Sequence, residues 1–560
     1  MDDVDAVQAQ IARNMLQSGD WVIAHLNGVP YLEKSPLIYW LIAISYRVFG
    51  VHDWAARIPV ALAAIVLAWV TWRYGRWAFG ARAGFYAGLT LCTCIGLFLF
   101  TRIQIPDVML TLSVCVAFWS FQRALDDAEP RPRFWATLLA VSLGVGVMLK
   151  GLIALVAPVG GIVLYLGVTR QLFSLDVWKR LHVFTGALII LIIAAPWHVL
   201  AMLRMPPYFD FTMHSGPGEY HGFFWFYFIN EHILRFLNLR YPRDYNTVPR
   251  LAFWLLHLLW LFPWSVFLPT IAGLSFKPID REGRTRLLAL CWMGFLMVFF
   301  TFSTTQEYYS MPIYPALAVL LGSAMVGRSR WLRIGTRVLG AIAALAALTI
   351  AVILYQVRGL PTPGDISQAL HQHPEAYTLS LGHLGDLTIS SFAYLRLALV
   401  MAGTAFLIGA LSAFLLKGHR AFLALAVMMV VFLHASRVAL VTFDPYLSSR
   451  PLAEALLKAP SGRLIINGAY YPFSSVFFYT NRRALLLNGR INNLEYGSYS
   501  PGSPDVFINN SQFVSLWSGP ERLYVLTDHE DLAQLTELVD SGRLHRIAES
   551  GGKLLLANQP

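Results

Sequence analysis

Apolar runs of membrane-spanning length recur along this chain, and they limit what it can fold into more than any other feature. They fall near residues 58–79, 83–101, 106–124, 134–150, 152–168, 183–203, 251–274, 287–305, 311–327, 338–357, 397–416 and 421–441. Each comes close to the roughly 20 residues a helix needs to cross a hydrocarbon core. The sequence therefore predicts a polytopic α-helical membrane protein with about twelve spans. Composition agrees: 56% of the 560 residues are hydrophobic and only 13% are charged, more apolar surface than a soluble core of this size can hide. A shorter run, 37–50, is too brief to span and is expected to lie at the interface or to enter partway.

Orientation follows from the loops. Arg73, Arg76 and Arg82, then Arg131 and Arg133, Lys179 and Arg180, Lys277 to Arg286, Arg328 to Arg337, and Lys417 and Arg420 occupy alternate short loops. Such loops stay in the cytoplasm. The long segments 1–57, 204–250, 358–396 and 442–560 then lie outside, which collects the polar material on one face. Both termini come out external, yet no basic and apolar leader precedes the acidic Asp2-Asp3-Val4-Asp5. A further transmembrane helix ahead of this sequence is expected, which would make about thirteen spans.

The formal charge of +11 belongs to these dispersed loop arginines and forms no stripe, so nucleic acid is not expected as a partner. Cys92, Cys94, Cys115 and Cys291 all sit inside apolar runs and read as core residues, not as a metal or disulfide framework. Three regions result: an external juxtamembrane segment (1–57), a transmembrane domain (58–441) with long external loops, and an external tail (442–560). In the tail, 464–466, 484–487 and 523–526 read as short buried strands and 531–539 as an amphipathic helix. This pattern predicts a small α/β domain. It has no phosphate-binding glycine loop, so no chemistry is assigned to it.

The external segments hold the candidate chemistry. Asp2, Asp3 and Asp5 open a helical stretch that Gly19 ends. One carboxylate can cap that helix and others can complement its dipole; three leave room for a general base. Glu33-Lys34 lies between Pro30 and Pro36, just before the short apolar run. A solvated turn explains it, but an ammonium at headgroup depth also suits a lipid phosphate. Arg102, Asp107 and Lys150 mark the outer ends of spans, where charges can simply snorkel. An acid at a helix start among external charges, such as Asp107, can instead orient a catalytic group. The aromatic stretch 223–228 reads as an interfacial belt, and Glu231 and Arg235 behind it as an i, i+4 ion pair. His232, with Glu33, supplies at most two ligands of an open metal site. In the tight link 306–312, tyrosines such as Tyr309 are placed to reach a phosphate or sugar.

These blocks resemble a known family. The acidic start with Ala9-Gln10-Ile11-Ala12-Arg13-Asn14-Met15, Ser18-Gly19-Asp20-Trp21-Val22, Asn27-Gly28 through Tyr39-Trp40, Phe49 through Arg57, Glu231 through Phe236 and Tyr309-Ser310-Met311-Pro312 are similar to bacterial membrane-embedded (GT-C type) glycosyltransferases. These enzymes are related to protein O-mannosyltransferases, and the likeness is strongest to the lipid A aminoarabinose transferases. The resemblance implies a catalytic Asp in the first external segment, here Asp3 or Asp5. A gapless match puts Val4, Asp5 and Val7 where the family carries Asp, Glu and Arg, so a shifted Asp-x-Asp variant is expected. It further implies a donor-phosphate site of Lys34 and Arg235 with Tyr31, Tyr309 and Lys150 beside it, and support from Asp107. Glu33 and His232 are the expected ligands of a divalent metal such as zinc.

The expected activity is inverting transfer of a sugar from a polyprenyl-phosphate carrier to lipid A or a related envelope acceptor, at the periplasmic face of the bacterial inner membrane. A protein acceptor, as in the mannosyltransferases, is the alternative within the family. Outside it stand a secondary transporter and an envelope-assembly scaffold. Transporters concentrate ionisable groups near the midplane of paired halves; these spans hold few such groups and show no internal repeat.

Overall fold

The structure, a computed structural model, describes residues 1–243, 248–303, 306–371 and 381–560. The remaining parts of the expected loops 204–250 and 358–396, and the end of the expected span 287–305, lie outside the described residues. Helices occupy all twelve apolar runs. Eight open the chain: α1 (Asp3–Ser18), α2 (Leu37–Phe49), α3 (Asp53–Phe79), α4 (Ala81–Cys92), α5 (Ile95–Arg102), α6 (Asp107–Ala124), α7 (Pro132–Lys150) and α8 (Ile153–Val168).

Among the described residues, seven helices are long and apolar enough to cross a membrane: α3, α7, Val183–Arg204, Arg281–Phe302, Arg330–Val357, Arg396–Leu415 and His419–Thr442. Two more runs are bent pairs. α4 and α5 meet at 49°, and Arg250–Trp260 meets Trp264–Gly273 at 100°. The second bend falls at Phe262-Pro263, where proline removes a backbone donor and disfavours helix in the residue before it. The last three expected spans fall on α6, α8 and Tyr314–Met325, which are shorter or carry charge at their ends. For two of them burial explains this. Fifteen of the eighteen residues of α6 are buried, and so are all twelve of Tyr314–Met325. A helix packed on every side belongs to the centre of the bundle. Arg330–Val357, with six of its 28 residues buried, lies at the rim.

The Arg-bearing loops gather at one end. Arg281 pairs with Asp126 at 2.9 Å and Arg180 with Asp127 at 2.7 Å, which brings three of them together. The other end carries α1, the short amphipathic α2 and the tail domain. α1 starts in the acidic opening and stops at Gly19, as expected. There a φ of 72° closes the helix through an N–H bond to the Met15 carbonyl. α2 lies between α1 and α3 with one side buried, as a run too short to span should.

The tail is an α/β domain around six strands. They are β3 (Arg463–Asn467), β4 (Ala484–Leu487), β5 (Phe507–Ile508), β6 (Leu523–Asp528), β7 (His545–Ser550) and β8 (Lys553–Ala557), in the order β5-β4-β3-β6-β8-β7. The first four are parallel; β8 runs antiparallel to both β6 and β7. Alternate residues serve two layers. Ile465, Leu485, Val525 and Leu556 pack on Phe513, Trp517 and Leu535. Leu464, Ile466, Leu486, Leu526 and Leu555 pack instead in one cluster with Ala6, Ile11, Tyr39 and Ala55. The N-terminal segment is therefore one layer of the tail domain, and the two regions share a core.

Candidate active site

A cavity of about 400 Å³ opens between the membrane helices and this external layer. Its walls are apolar: Leu110, Ile153, Val156, Leu296, Phe299 and Phe300. Its polar end holds Glu33, Lys34, Lys150, Glu231, His232, Arg235 and Tyr309.

A tight hairpin delivers the first of these. β1 (His25–Leu26) and β2 (Val29–Pro30) are joined by Asn27-Gly28 alone. Both turn residues have positive φ, 53° and 86°, as the two-residue hairpin turn requires. The Asn27 amide is fixed to the Ala484 backbone in both directions, at 2.9 and 3.1 Å. The strand then leads through Tyr31 to Glu33 and Lys34. Glu33 Oε1 accepts from Lys34 Nζ at 2.5 Å, Glu33 Oε2 accepts from the Tyr31 hydroxyl at 2.8 Å, and Arg235 and Arg240 each stand 3.9 Å away. Burial alone would raise the Glu33 carboxyl, but Lys34, Arg240 and Arg235 hold it well below the usual carboxylate range. Lys34 is desolvated too, yet Glu33 keeps its pKa above that of an ordinary lysine. Both groups are ionised at neutral pH.

The second group comes from residues 225–234, wound as a π-helix, a form that recurs at functional sites. Glu231 there is ion-paired to both Arg235 and Arg240. The third is Lys150, at the end of α7, paired with Asp107 at the start of α6. The Lys150 ammonium also lies 4.6 Å from the Tyr309 ring centre and 5.3 Å from that of Tyr308.

One arrangement repeats. The side chains of Lys34, Arg235 and Lys150 are 17–23% exposed, whereas the carboxylates behind them, Glu33, Glu231 and Asp107, are 2–5% exposed. Cations face the cavity and buried acids back them. Such an end attracts an anion, and the apolar walls suit a hydrocarbon chain.

The other candidates are placed as follows. Tyr31 stands behind Glu33 and holds it from the far side. His232 lines the cavity, but its Nδ1 bonds to the Tyr227 carbonyl at 2.5 Å and its Nε2 accepts the Leu152 N–H at 3.0 Å. Burial pushes its imidazole down, towards the neutral form. Both His232 nitrogens are engaged and Glu33 is surrounded by cations, so as placed here the pair offers a divalent ion no free imidazole nitrogen. Among the described residues no three His, Cys, Asp or Glu side chains group to hold one. His232 instead secures the turn that carries Lys150: a Cβ on Gly151 would lie 2.4 Å from its Nε2.

Neither N-terminal acid lines the cavity. Asp3 binds the tail domain, accepting from the Ser475 N–H at 2.7 Å, Lys553 Nζ at 2.8 Å and the Ser449 hydroxyl at 2.9 Å. Asp5 turns to the membrane part, accepting from Arg57 Nη2 at 2.5 Å and the Gln104 N–H at 2.7 Å. Burial pushes the Asp5 carboxyl up, against the attraction of Arg57. Gln104 lies three residues before Asp107, so Asp5 and the Lys150 pair are joined by one short segment. The sequence did not reveal Arg240, which follows Asn238-Leu239 in a loop of no recognisable pattern. The Asn27-Gly28 hairpin signal was there to be read.

Fold and site together define a polytopic membrane protein with the architecture of the GT-C type glycosyltransferases. Within that class the likeness is to aminoarabinose transferases. Crystal structures of ArnT from Cupriavidus metallidurans superpose with TM-scores of 0.77 (apo state) and 0.76 (bound to undecaprenyl phosphate). Both have 22% identity and cover 93% of those chains and 99–100% of this one, which establishes the shared fold. Residues 33–199 match the dolichyl-phosphate-mannose-protein mannosyltransferase family. In sequence the chain is 30% identical over 362 residues to an undecaprenyl phosphate-α-4-amino-4-deoxy-L-arabinose arabinosyl transferase of Aeromonas salmonicida, covering 62% of this chain. It is 29% identical over 428 residues to one from Pseudomonas fluorescens, covering 72% of this chain and 67% of that one. The chain spans about 60% of the length of the first of these relatives.

Proposed function

We propose that this chain transfers a sugar from a polyprenyl-phosphate carrier to lipid A or a related glycolipid at the periplasmic face of the bacterial inner membrane, with 4-amino-4-deoxy-L-arabinose as the sugar. The observation that carries this reading is the cavity, in which Lys34, Arg235 and Lys150 face an otherwise apolar space. A lipid phosphate needs both halves: tail against Leu110, Ile153 and Phe299, phosphate against the cations. Relatives named for this transfer, and a similar fold crystallised with undecaprenyl phosphate, support it. The gathering of Arg-rich loops at the opposite end supports the orientation.

In the reaction the bond between the sugar's anomeric carbon and the phosphate oxygen breaks, and the electron pair leaves with the phosphate. A bond from the acceptor oxygen to the same carbon forms on the opposite face. Charge grows on the departing phosphate, where fixed cations favour the transition state over the ground state. Asp5 is the candidate to orient the acceptor and take its proton, with the acceptor approaching on the Arg57 side, outside the donor cavity. Its raised carboxyl and its link through Gln104 to Asp107 favour it over Asp3, which the tail domain occupies. A phosphate acceptor is already ionised, and Asp5 then positions it.

The test is transfer by purified protein, offered undecaprenyl-phosphate aminoarabinose with lipid A or a peptide. Asp5→Ala should lower transfer to lipid A by about 10²–10⁴-fold, while Asp3→Ala leaves the folded fraction active. Transfer to peptide alone would move the acceptor to the mannosyltransferase side. Transfer to neither, with the lipid phosphate still bound, would overturn the proposal.

A further inference from the structure

The tail domain carries no motif of its own, yet two of its side chains end beside the cavity's cations. The Tyr31 hydroxyl, which donates to Glu33, accepts from the Tyr471 hydroxyl at 3.2 Å. Tyr471 accepts from Asn493 Nδ2 at 2.8 Å, and Asn493 Oδ1 accepts from Arg240 Nη2 at 3.2 Å. Arg240 returns to Glu33, 3.9 Å away, and is ion-paired to Glu231. Five side chains close a ring: Glu33 and Tyr31 from the N-terminal segment, Arg240 from the loop that follows the π-helix, and Tyr471 and Asn493 from the tail. Donation runs one way around it, from the Arg240 guanidinium to the Glu33 carboxylate.

The backbone around this ring is fixed as well. Asn493 opens a short helix, Asn493–Ser498. A Cβ on Gly497 would lie 1.9 Å from the Pro30 carbonyl oxygen, so that helix touches the β1–β2 hairpin directly. On its other side the Tyr496 hydroxyl accepts the His221 N–H at 2.9 Å and donates to the Gly222 carbonyl at 3.1 Å. One helix thus holds two of the three segments that bring charge to the cavity.

Glu33 gives one oxygen to Lys34 and the other to Tyr31, so whatever fixes Tyr31 fixes the carboxylate plane and the position of the Lys34 ammonium. Arg240 does the same for Arg235 through Glu231. We infer that Tyr471 and Asn493 are positioning residues for the donor-phosphate site, which makes the tail domain part of the site. The inference rests on the donor reading given above. Networks of this kind in a poorly solvated setting act as a unit, and loss of one member loosens the rest.

The experiment uses full-length protein and undecaprenyl phosphate as the probe, with Tyr471→Phe and Asn493→Ala variants. Tyr471→Phe keeps the ring and removes the hydroxyl. Each is expected to weaken lipid-phosphate binding about 5- to 30-fold, the range for one or two lost hydrogen bonds. Donor KM should rise by the same factor and kcat stay within about threefold, with a melting temperature within about 2 °C of wild type. Arg546→Ala, on the exposed β7 edge, should change none of these. Unchanged affinity in both variants, or loss that follows a fall in melting temperature or in kcat alone, overturns the inference. Lys34→Ala separates the two levels. If it binds undecaprenyl phosphate as wild type does, the donor reading fails. If it weakens binding and the tail variants do not, only the positioning role fails.

Discussion

Asp3 and Glu33 are both buried carboxylates ringed by donors, and both join the N-terminal segment to a distant part of the chain. Around Asp3 the partners are Ser475, Ser449 and Lys553, all from the tail domain, and the cluster closes on itself. Around Glu33 the partners are Lys34, Arg235, Arg240 and Tyr31, and two of the cations reach past it into a cavity. The chemistry of the two clusters is similar, but their surroundings differ. A buried acid with donors on every side is a fastener, whereas an acid whose cations also face an apolar cavity holds a binding site in tension. Burial and a short ion pair do not by themselves mark function; the open side does.

Removing one cation from the open cluster should break the comparison most sharply. Lys34→Ala is expected to reduce transfer by about 10²–10³-fold, as the loss of one transition-state charge partner does, with a smaller fall in melting temperature than at the closed cluster, since Arg235 and Arg240 still face Glu33. Transfer assayed beside thermal melting checks it, and near-normal turnover would remove Lys34 from the site. At the closed cluster the effects should invert. Asp3→Ala leaves the Lys553 ammonium, largely buried, without its carboxylate, a change that costs about 3–5 kcal/mol when a buried pair is broken. Limited proteolysis should then release the tail domain more readily, with turnover of the intact fraction within a few-fold. If Asp3→Ala lost activity at full stability, the two clusters would not be different in kind.

How far the sequence revealed this contrast depended on the range of the partners. Spans show as apolar runs because each is read within its own 20 residues. β3, β4 and β6 showed too, being buried on both faces and hence continuously apolar, as parallel strands are. β7, exposed over most of its length at the sheet edge, and β5, with two residues, gave no such signal. Lys34 stood out because its neighbours Pro30, Glu33 and Pro36 are local. Asp3 did not reveal its role, since Ser449 lies 446 residues away. Arg240 was hidden for the same reason: its value comes from Glu33 and Asn493, and nothing in its own loop points to either.

The smallest test concerns His232, which lies at the cavity but holds its neighbours as Asp3 does. Its imidazole is kept neutral by burial while it bonds the Tyr227 carbonyl and the Leu152 N–H. A histidine ordinarily titrates near 6.5, so between that value and its lower folded pKa the unfolded chain binds the extra proton. Its contribution to stability is therefore present above about pH 6.5 and is lost as pH falls towards the folded value, at no more than about 1.4 kcal/mol per pH unit. Glu33 works the other side of the scale: its folded pKa is depressed, so its contribution is full above the ordinary carboxylate range and fades only in stronger acid. Between pH 5 and 7 the depressed histidines set this slope, and the raised Asp5 carboxyl opposes it. His25, also pushed down by burial, adds to it, so the informative quantity is a difference. Melting temperature should fall from pH 7 to pH 5 more steeply in wild type than in His232→Asn. Equal slopes would mean that His232 already titrates in the folded protein, and its bonds to Tyr227 and Leu152 would then not be what holds the Lys150 turn against the cavity.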